Sequence, residues 1–135
     1  GLAARSDPPM VSTTEAPHFR RVLVQRGGGT PRAHGLGMRD GNGIMFITYV
    51  GEVYPSGFLA LPVGSVRQDD PVALYRDAPV FRALRRPDLF GGRCGRREFR
   101  GVCGGSRARS FAATGDPLSE DPLCAHEPGG RARAS

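Results

Sequence analysis

Lysine is absent from this chain, so its formal charge of +6 rests on arginine alone. A nucleic-acid surface normally draws on both cations and gathers them into one patch. Here the arginines are scattered from Arg5 to Arg133. Compositional bias in the coding sequence accounts for them better, and nucleic acid is not an expected partner. Long apolar runs are also missing. No stretch approaches the roughly 18 residues of a membrane helix, so no membrane is expected. The opening GLAARSDPPM lacks the apolar core of a signal peptide. Large core-forming residues are scarce: Leu, Ile, Val and Phe make up 29 of 135 residues, close to the level at which disorder competes with folding. Gly and Pro together number 32, so turns and loops should dominate.

Cysteine is the last scarcity. There are three, Cys94, Cys103 and Cys124, an odd count for disulfides and one short of a tetrahedral metal site. Without export, such a set reads as reduced thiols or metal ligands in a cytoplasmic protein. A bound metal would assist a loop-rich chain, because ligand binding is folding free energy when the site forms only on folding. The length suits one domain or part of one. The chain begins at Gly1 rather than Met, with a strand-like segment almost at once, which suggests an upstream part.

Local signals outline the elements. Met10 to Thr14 is β-branched and strand-like, and Glu15-Ala16-Pro17 opens a short helix with proline in its first turn. Residues 26–42 read as a flexible linker. The run Gly27–Gly29 lacks the Gly-Lys-Ser/Thr ending of a phosphate loop. From residue 43, Ile44, Phe46 and Thr48 alternate with Met45, Ile47 and Tyr49. A turn at Gly51-Glu52 leads to a return strand from Val53, making a hairpin with two largely apolar faces. Asp70 ahead of Pro71, and Asp77 ahead of Pro79, are candidate caps of two short helices or one broken helix, stopped at Pro87. Ser106 to Thr114 is helical and closes at Gly115. The end of the chain, 127–135, reads as a disordered tail.

Cysteine thiolates bind soft metals, favouring zinc or an iron–sulfur cluster. Cys103 stands at a glycine pair just before a helix, where backbone N–H groups can approach sulfur and the helix start favours negative charge. Spacing alone leaves a metal site and three unrelated buried thiols equally open.

Four runs together resemble the C-terminal, auxiliary-cluster region of radical SAM/SPASM enzymes, nearest the heme-modifying and peptide-maturing branch. They are TTEAPHFRRV (13–22), DGNGIMFITYVGEVYPSGFLALPVGSVR (40–67), YRDAPVFRALRRPDLFGGRCG (75–95) and EFRGVCGGSRARSFAATGDPLSEDPLC (98–124). They cover most of the chain, and the last is the most specific. The resemblance implies an α+β fold in which residues 1–25 are the end of a (β/α) barrel, a strand plus a helix. After the linker, residues 43–126 would form a SPASM-like domain of a β-hairpin, short helices and a loop-rich cluster-binding region. It implies one auxiliary [4Fe–4S] cluster, which would pass electrons or hold substrate.

Carried over residue by residue, the cluster ligands fall on Cys94, Cys103 and Cys124. The second of the family's four cysteines falls on Arg97. Arginine has no acceptor lone pair and cannot replace it. The fourth position is then open, lost, or taken by His126, otherwise a tail residue. The motif Cys-x-x-x-Cys-x-x-Cys, which in the family holds the cluster that cleaves S-adenosylmethionine, is not in this chain. The chain alone is therefore not expected to generate a radical, and S-adenosylmethionine belongs to a full-length relative. By the same analogy the substrate is a peptide or a tetrapyrrole.

Glu15, at the end of the implied barrel strand, and His18 are candidates for substrate contact. Arg107 and Arg109 are candidates for hydrogen bonds to the cluster or a substrate carboxylate, against a solvated or salt-bridged helix face. Ser56 stands where some relatives carry a further cysteine, which implies one auxiliary cluster at most. A structural zinc site of Cys94, Cys103, Cys124 and His126 is the rival reading, and a degenerate metal-free remnant is the third.

Overall fold

The computed structural model describes residues 16–27, 39–96 and 98–127. The strand expected at Met10–Thr14 lies outside them, as do Glu15 and Arg97. In chain order the described elements are α1 (His18–Gln25), β1 (Phe46–Ile47), β2 (Glu52–Tyr54), β3 (Gly64–Ser65), α2 (Pro71–Asp77), α3 (Pro79–Leu84), a 3₁₀ turn (Pro87–Leu89), α4 (Gly92–Gly95) and α5 (Arg107–Thr114).

The hairpin forms where the alternation and the glycine placed it. Phe46 pairs with Tyr54 and Ile47 with Val53, antiparallel. The turn closes through the Gly51 N–H on the Thr48 carbonyl at 2.9 Å, with Gly51 at φ +92°, a conformation glycine adopts without strain. β3 adds a third antiparallel strand on the far side of β2, pairing Glu52 with Ser65. Its two residues, Gly64 and Ser65, carry no strand propensity. They pair because Gly64 packs against the Leu74 side chain of α2 and Asp69 accepts the Ser65 N–H at 3.0 Å. The apolar alternation of β1 does not bury it: Phe46 and Ile47 remain 45% and 43% exposed, and Tyr49 at the tip is 97% exposed.

Asp70 caps α2 as expected, its carboxylate accepting the Val72 and Ala73 N–H groups at 2.7 and 2.9 Å. Asp77 does not cap α3. It is the last residue of α2, the cap position falls on Ala78, and no side-chain cap forms. Pro79 starts that helix by its fixed φ instead. The core is small and is built on Val53 of β2, Leu59, and Phe81 and Leu84 of α3, all at most 1% exposed.

The expected linker ends too late. Residues 28–38 lie outside the described residues, but Arg39 to Asn42 belong to the fold. Arg39 and Asn42 exchange backbone hydrogen bonds, and Gly41 donates to the Pro55 carbonyl at 2.8 Å. Asp40 is buried. It accepts the Ser56 hydroxyl and, at 3.2 Å, the Ala108 N–H in the first turn of α5. Ser56, in turn, accepts the Phe58 and Leu59 N–H groups. Ser56 is thus a hydrogen-bonded corner, tied through Asp40 to α5.

Gly41 shows how tightly this segment sits. At φ +69°, an added Cβ would lie 2.8 Å from Leu84 Cδ1 and 3.2 Å from Phe81 Cδ1. Gly41→Ala is expected to cost about 2 to 3 kcal/mol, from left-handed backbone strain plus overpacking against two fully buried side chains. A lowered urea midpoint at unchanged m-value checks this.

Candidate metal centre

Three separate elements each deliver one cysteine. Cys94 sits in α4, Cys103 follows the turn closed by its own N–H on the Phe99 carbonyl at 2.8 Å, and Cys124 follows the turn at 121–124. Each is 2% exposed and none forms a disulfide. Burial pushes the Cys103 thiol up, the Gly105 N–H pulls it down, and the nearby Cys124 and Cys94 raise it, while Arg21 in α1 lowers it. Cys94 Sγ accepts the Asp121 N–H at 3.3 Å.

Glycine shapes the backbone here. Gly104 and Gly105 both adopt left-handed φ, +65° and +69°, bending the chain sharply between Cys103 and α5. An added Cβ on Gly105 would lie 2.7 Å from Arg107 Nη2, 2.8 Å from Cys94 Sγ and 2.9 Å from Asp121 Cβ. The backbone there passes as close to the thiol as a side-chain-free residue allows.

Asp121 organises the site and was not singled out in the sequence. It is fully buried. Its carboxylate accepts the Ser106 N–H at 2.8 Å, the Leu123 N–H at 3.1 Å and both faces of the Arg109 fork, Nε at 3.1 Å and Nη2 at 2.7 Å. Burial pushes this carboxyl up, but Arg109 and the two N–H groups outweigh it and hold the pKa at about 2. One signal pointed to it: Asp-Pro followed two residues on by an N–H that the side chain captures is an Asx turn.

The other expected site residues are placed as follows. Arg109 spends its fork on Asp121. His18 Nε2 stands 3.7 Å from Asp121 Oδ2, which brings the start of α1 to this region. Arg107 is 2% exposed, crosses the face of Phe90 at 4.5 Å, and donates through Nη1 to the Pro117 and Ser119 carbonyls. The His126 side chain is only 10% exposed rather than in a free tail. Its Nε2 stands 3.5 Å from Glu98 Oε1 and its ring tilts against Phe99. Arg93 closes the base of the site, binding Glu120 and, at 3.2 Å, Glu127, so the structured chain extends to the first residue of the expected tail.

The three buried thiols are soft donors, and backbone N–H groups approach Cys94 and Cys103. Among the described residues no group of three or more His, Cys, Asp or Glu side chains is arranged to hold a metal ion. A tetrahedral zinc ion needs its ligands gathered tightly around one point.

Over 129 residues, 88% of its length, the chain is 37% identical to the AdoMet-dependent heme synthase of Methanosarcina barkeri. This chain is homologous to AdoMet-dependent heme synthases. The counterpart from Oleidesulfovibrio alaskensis is 37% identical over 87% of the chain, and the pre-heme d1 synthase of Dinoroseobacter shibae is 36% identical over 79%. The matches cover 37%, 33% and 25% of those three proteins, so the chain spans about a third of the heme synthases it resembles. No protein-family model matches the chain. No helix among the described residues is long and apolar enough to cross a membrane.

Proposed function

We propose that this chain is the auxiliary-cluster region of an AdoMet-dependent, tetrapyrrole-modifying radical enzyme. On this reading its α+β fold is a SPASM-like domain following the end of a barrel, of which α1 is the last helix. Cys94, Cys103 and Cys124 would hold one [4Fe–4S] cluster, which would supply electron transfer next to the substrate. The observation that supports the reading is three buried, unbridged thiols, with the Asp121 N–H of the 121–124 turn donating to Cys94 Sγ of α4. The names of the relatives support a tetrapyrrole over a peptide as substrate class.

This chain's own residues hold the site in shape. Asp121 and Arg109 lock the closing turn onto α5, and Gly105 leaves space beside Cys94. Anaerobic reconstitution with iron and sulfide tests the reading. The expected product is brown and carries about four iron and four sulfide per chain. A colourless chain without iron would overturn it, and a single tightly held zinc would favour a structural module.

A further inference from the structure

We propose that Arg107 forms a carboxylate-binding site: the unpaired Nε–Nη2 edge of its guanidinium takes the carboxylate of a small organic acid side-on, with Arg39 adding positive charge beside it. The inference needs no metal at the cysteines and goes beyond the cluster reading above.

The first turn of α5 shows the same guanidinium edge in two conditions. Arg109 has it paired. Its Nε donates to Asp121 Oδ1 at 3.1 Å and its Nη2 to Oδ2 at 2.7 Å, the two parallel bonds by which a guanidinium holds a planar carboxylate. Arg107 has it unpaired. Its Nη1 is fixed by the Pro117 and Ser119 carbonyls at 3.0 and 2.7 Å, which sets the plane of the group. Its Nε and Nη2 are buried and meet no acceptor among the described residues. The residue is 2% exposed, so bulk water does not supply one. A guanidinium stays charged and has only donors, so two dry nitrogens are costly.

The buried carboxylates of the fold are already committed. Asp121 is held by Arg109 and by the Ser106 and Leu123 N–H groups, and Asp40 by the Ser56 hydroxyl and the Ala108 N–H. The surroundings are cationic. Burial first, then the like charges of Arg20 and Arg107, hold the Arg39 pKa below its ordinary value, and Arg39 Nε is also buried without an acceptor among the described residues. An anion is the partner that such a group of charges lacks.

The walls favour a small, flat one. An added Cβ on Gly104 would lie 3.1 Å from Arg39 Nη1 and 3.2 Å from Phe90 Cε2, and one on Gly105 would lie 2.7 Å from Arg107 Nη2. Bare glycine backbone therefore borders both guanidinium groups. The Phe90 ring lies against the face of Arg107, its centroid 4.5 Å from Cζ. A carboxylate held side-on stays in the guanidinium plane, whereas a tetrahedral phosphate projects oxygens out of it, toward that ring.

The test is urea unfolding of the full 135-residue chain in acetate, with chloride at the same ionic strength as reference. Acetate at 0.1 M is expected to raise the folded-to-unfolded ratio about tenfold, and the effect should saturate as site binding does. Uncharged acetamide should have no such effect. Arg107→Leu should lose the saturable response, and Arg107→Lys, which keeps the charge but not the fork, should lose most of it. If Arg107→Leu does not fold, the Lys variant and the acetamide comparison carry the test. No saturable response in the parent, or the same response in the variants, would overturn the proposal. Phosphate acting as strongly as acetate would overturn the choice of a planar carboxylate. Iron content after reconstitution is measured separately, so failure here leaves the cluster reading standing, and an iron-free chain that responds to acetate removes only that reading.

Discussion

Asp121→Ala should lower the stability of the chain by about 3 kcal/mol and, on the cluster reading proposed above, lower its iron content after reconstitution. Removing one partner of a buried ion pair typically costs 3 to 5 kcal/mol, because the other charge is left uncompensated. The lower end applies here, since the Arg109 side chain is 27% exposed and can turn partly to water. The same substitution also strands the Ser106 and Leu123 N–H groups, one at the start of α5 and one in the turn before Cys124. Two of the three cysteine-bearing segments would lose their tie together. Urea unfolding measures the loss, and iron content after reconstitution measures the second effect.

The same residue sets an acid limit. Its folded pKa of about 2 lies below the ordinary aspartate value of 3.8. A depressed carboxyl contributes its full stability above the unfolded pKa and loses it as pH falls through the folded one. The chain should therefore lose about 2 kcal/mol between pH 4 and pH 2 from this group. Asp121→Asn should flatten that part of the profile. An unchanged acid slope in the Asn variant would show that other carboxylates carry it.

Gly105→Ala is expected to be as damaging, by about 3 to 4 kcal/mol, for a different reason. The new methyl would meet three buried neighbours at once, a tied guanidinium, a thiol and the Asp121 side chain, at 2.7, 2.8 and 2.9 Å. None of these is the free end of a flexible chain, so the overpacking term adds to the left-handed strain. Gly115→Ala is the control. Gly115 has the same sign of φ, +76°, as the C-cap of α5, but nothing lies within 4 Å of its Cβ position. It should lose only the backbone term, about 1 kcal/mol. Equal losses at the two glycines, by thermal or urea unfolding, would mean that the space beside Cys94 is not constrained.

What could be read in advance divides along physical lines. α2 and α5 were legible because their start and stop signals are local: Asp70 and Ser106 reach N–H groups two or three residues ahead, and Gly115 ends α5 by its own φ. The hairpin was legible for the same reason, since alternation and Gly51 act within ten residues. Asp77 misled because its cap is decided by one residue of register, which Pro79 settles. β3 was invisible, because Gly64 and Ser65 become a strand only by packing on Leu74 and pairing with β2.

The sequence by itself determined that three thiols exist, that no disulfide set can be complete, that all the positive charge is arginine, and that Cys103 precedes a capped helix across two glycines. Only the tertiary structure decided that all three thiols are buried and unbridged. Cys94 and Cys124 lie 30 positions apart, and their burial depends on long-range contacts: the Asp121 N–H on Cys94 Sγ, Arg93 on Glu120, and Asp40 bridging Ser56 to α5. Likewise, a sequence shows an arginine but not whether its donors are satisfied. That Arg109 is spent on Asp121, while Arg107 has two buried nitrogens without an acceptor among the described residues, is a property of packing, since burial and orientation arise only when distant segments close over one another.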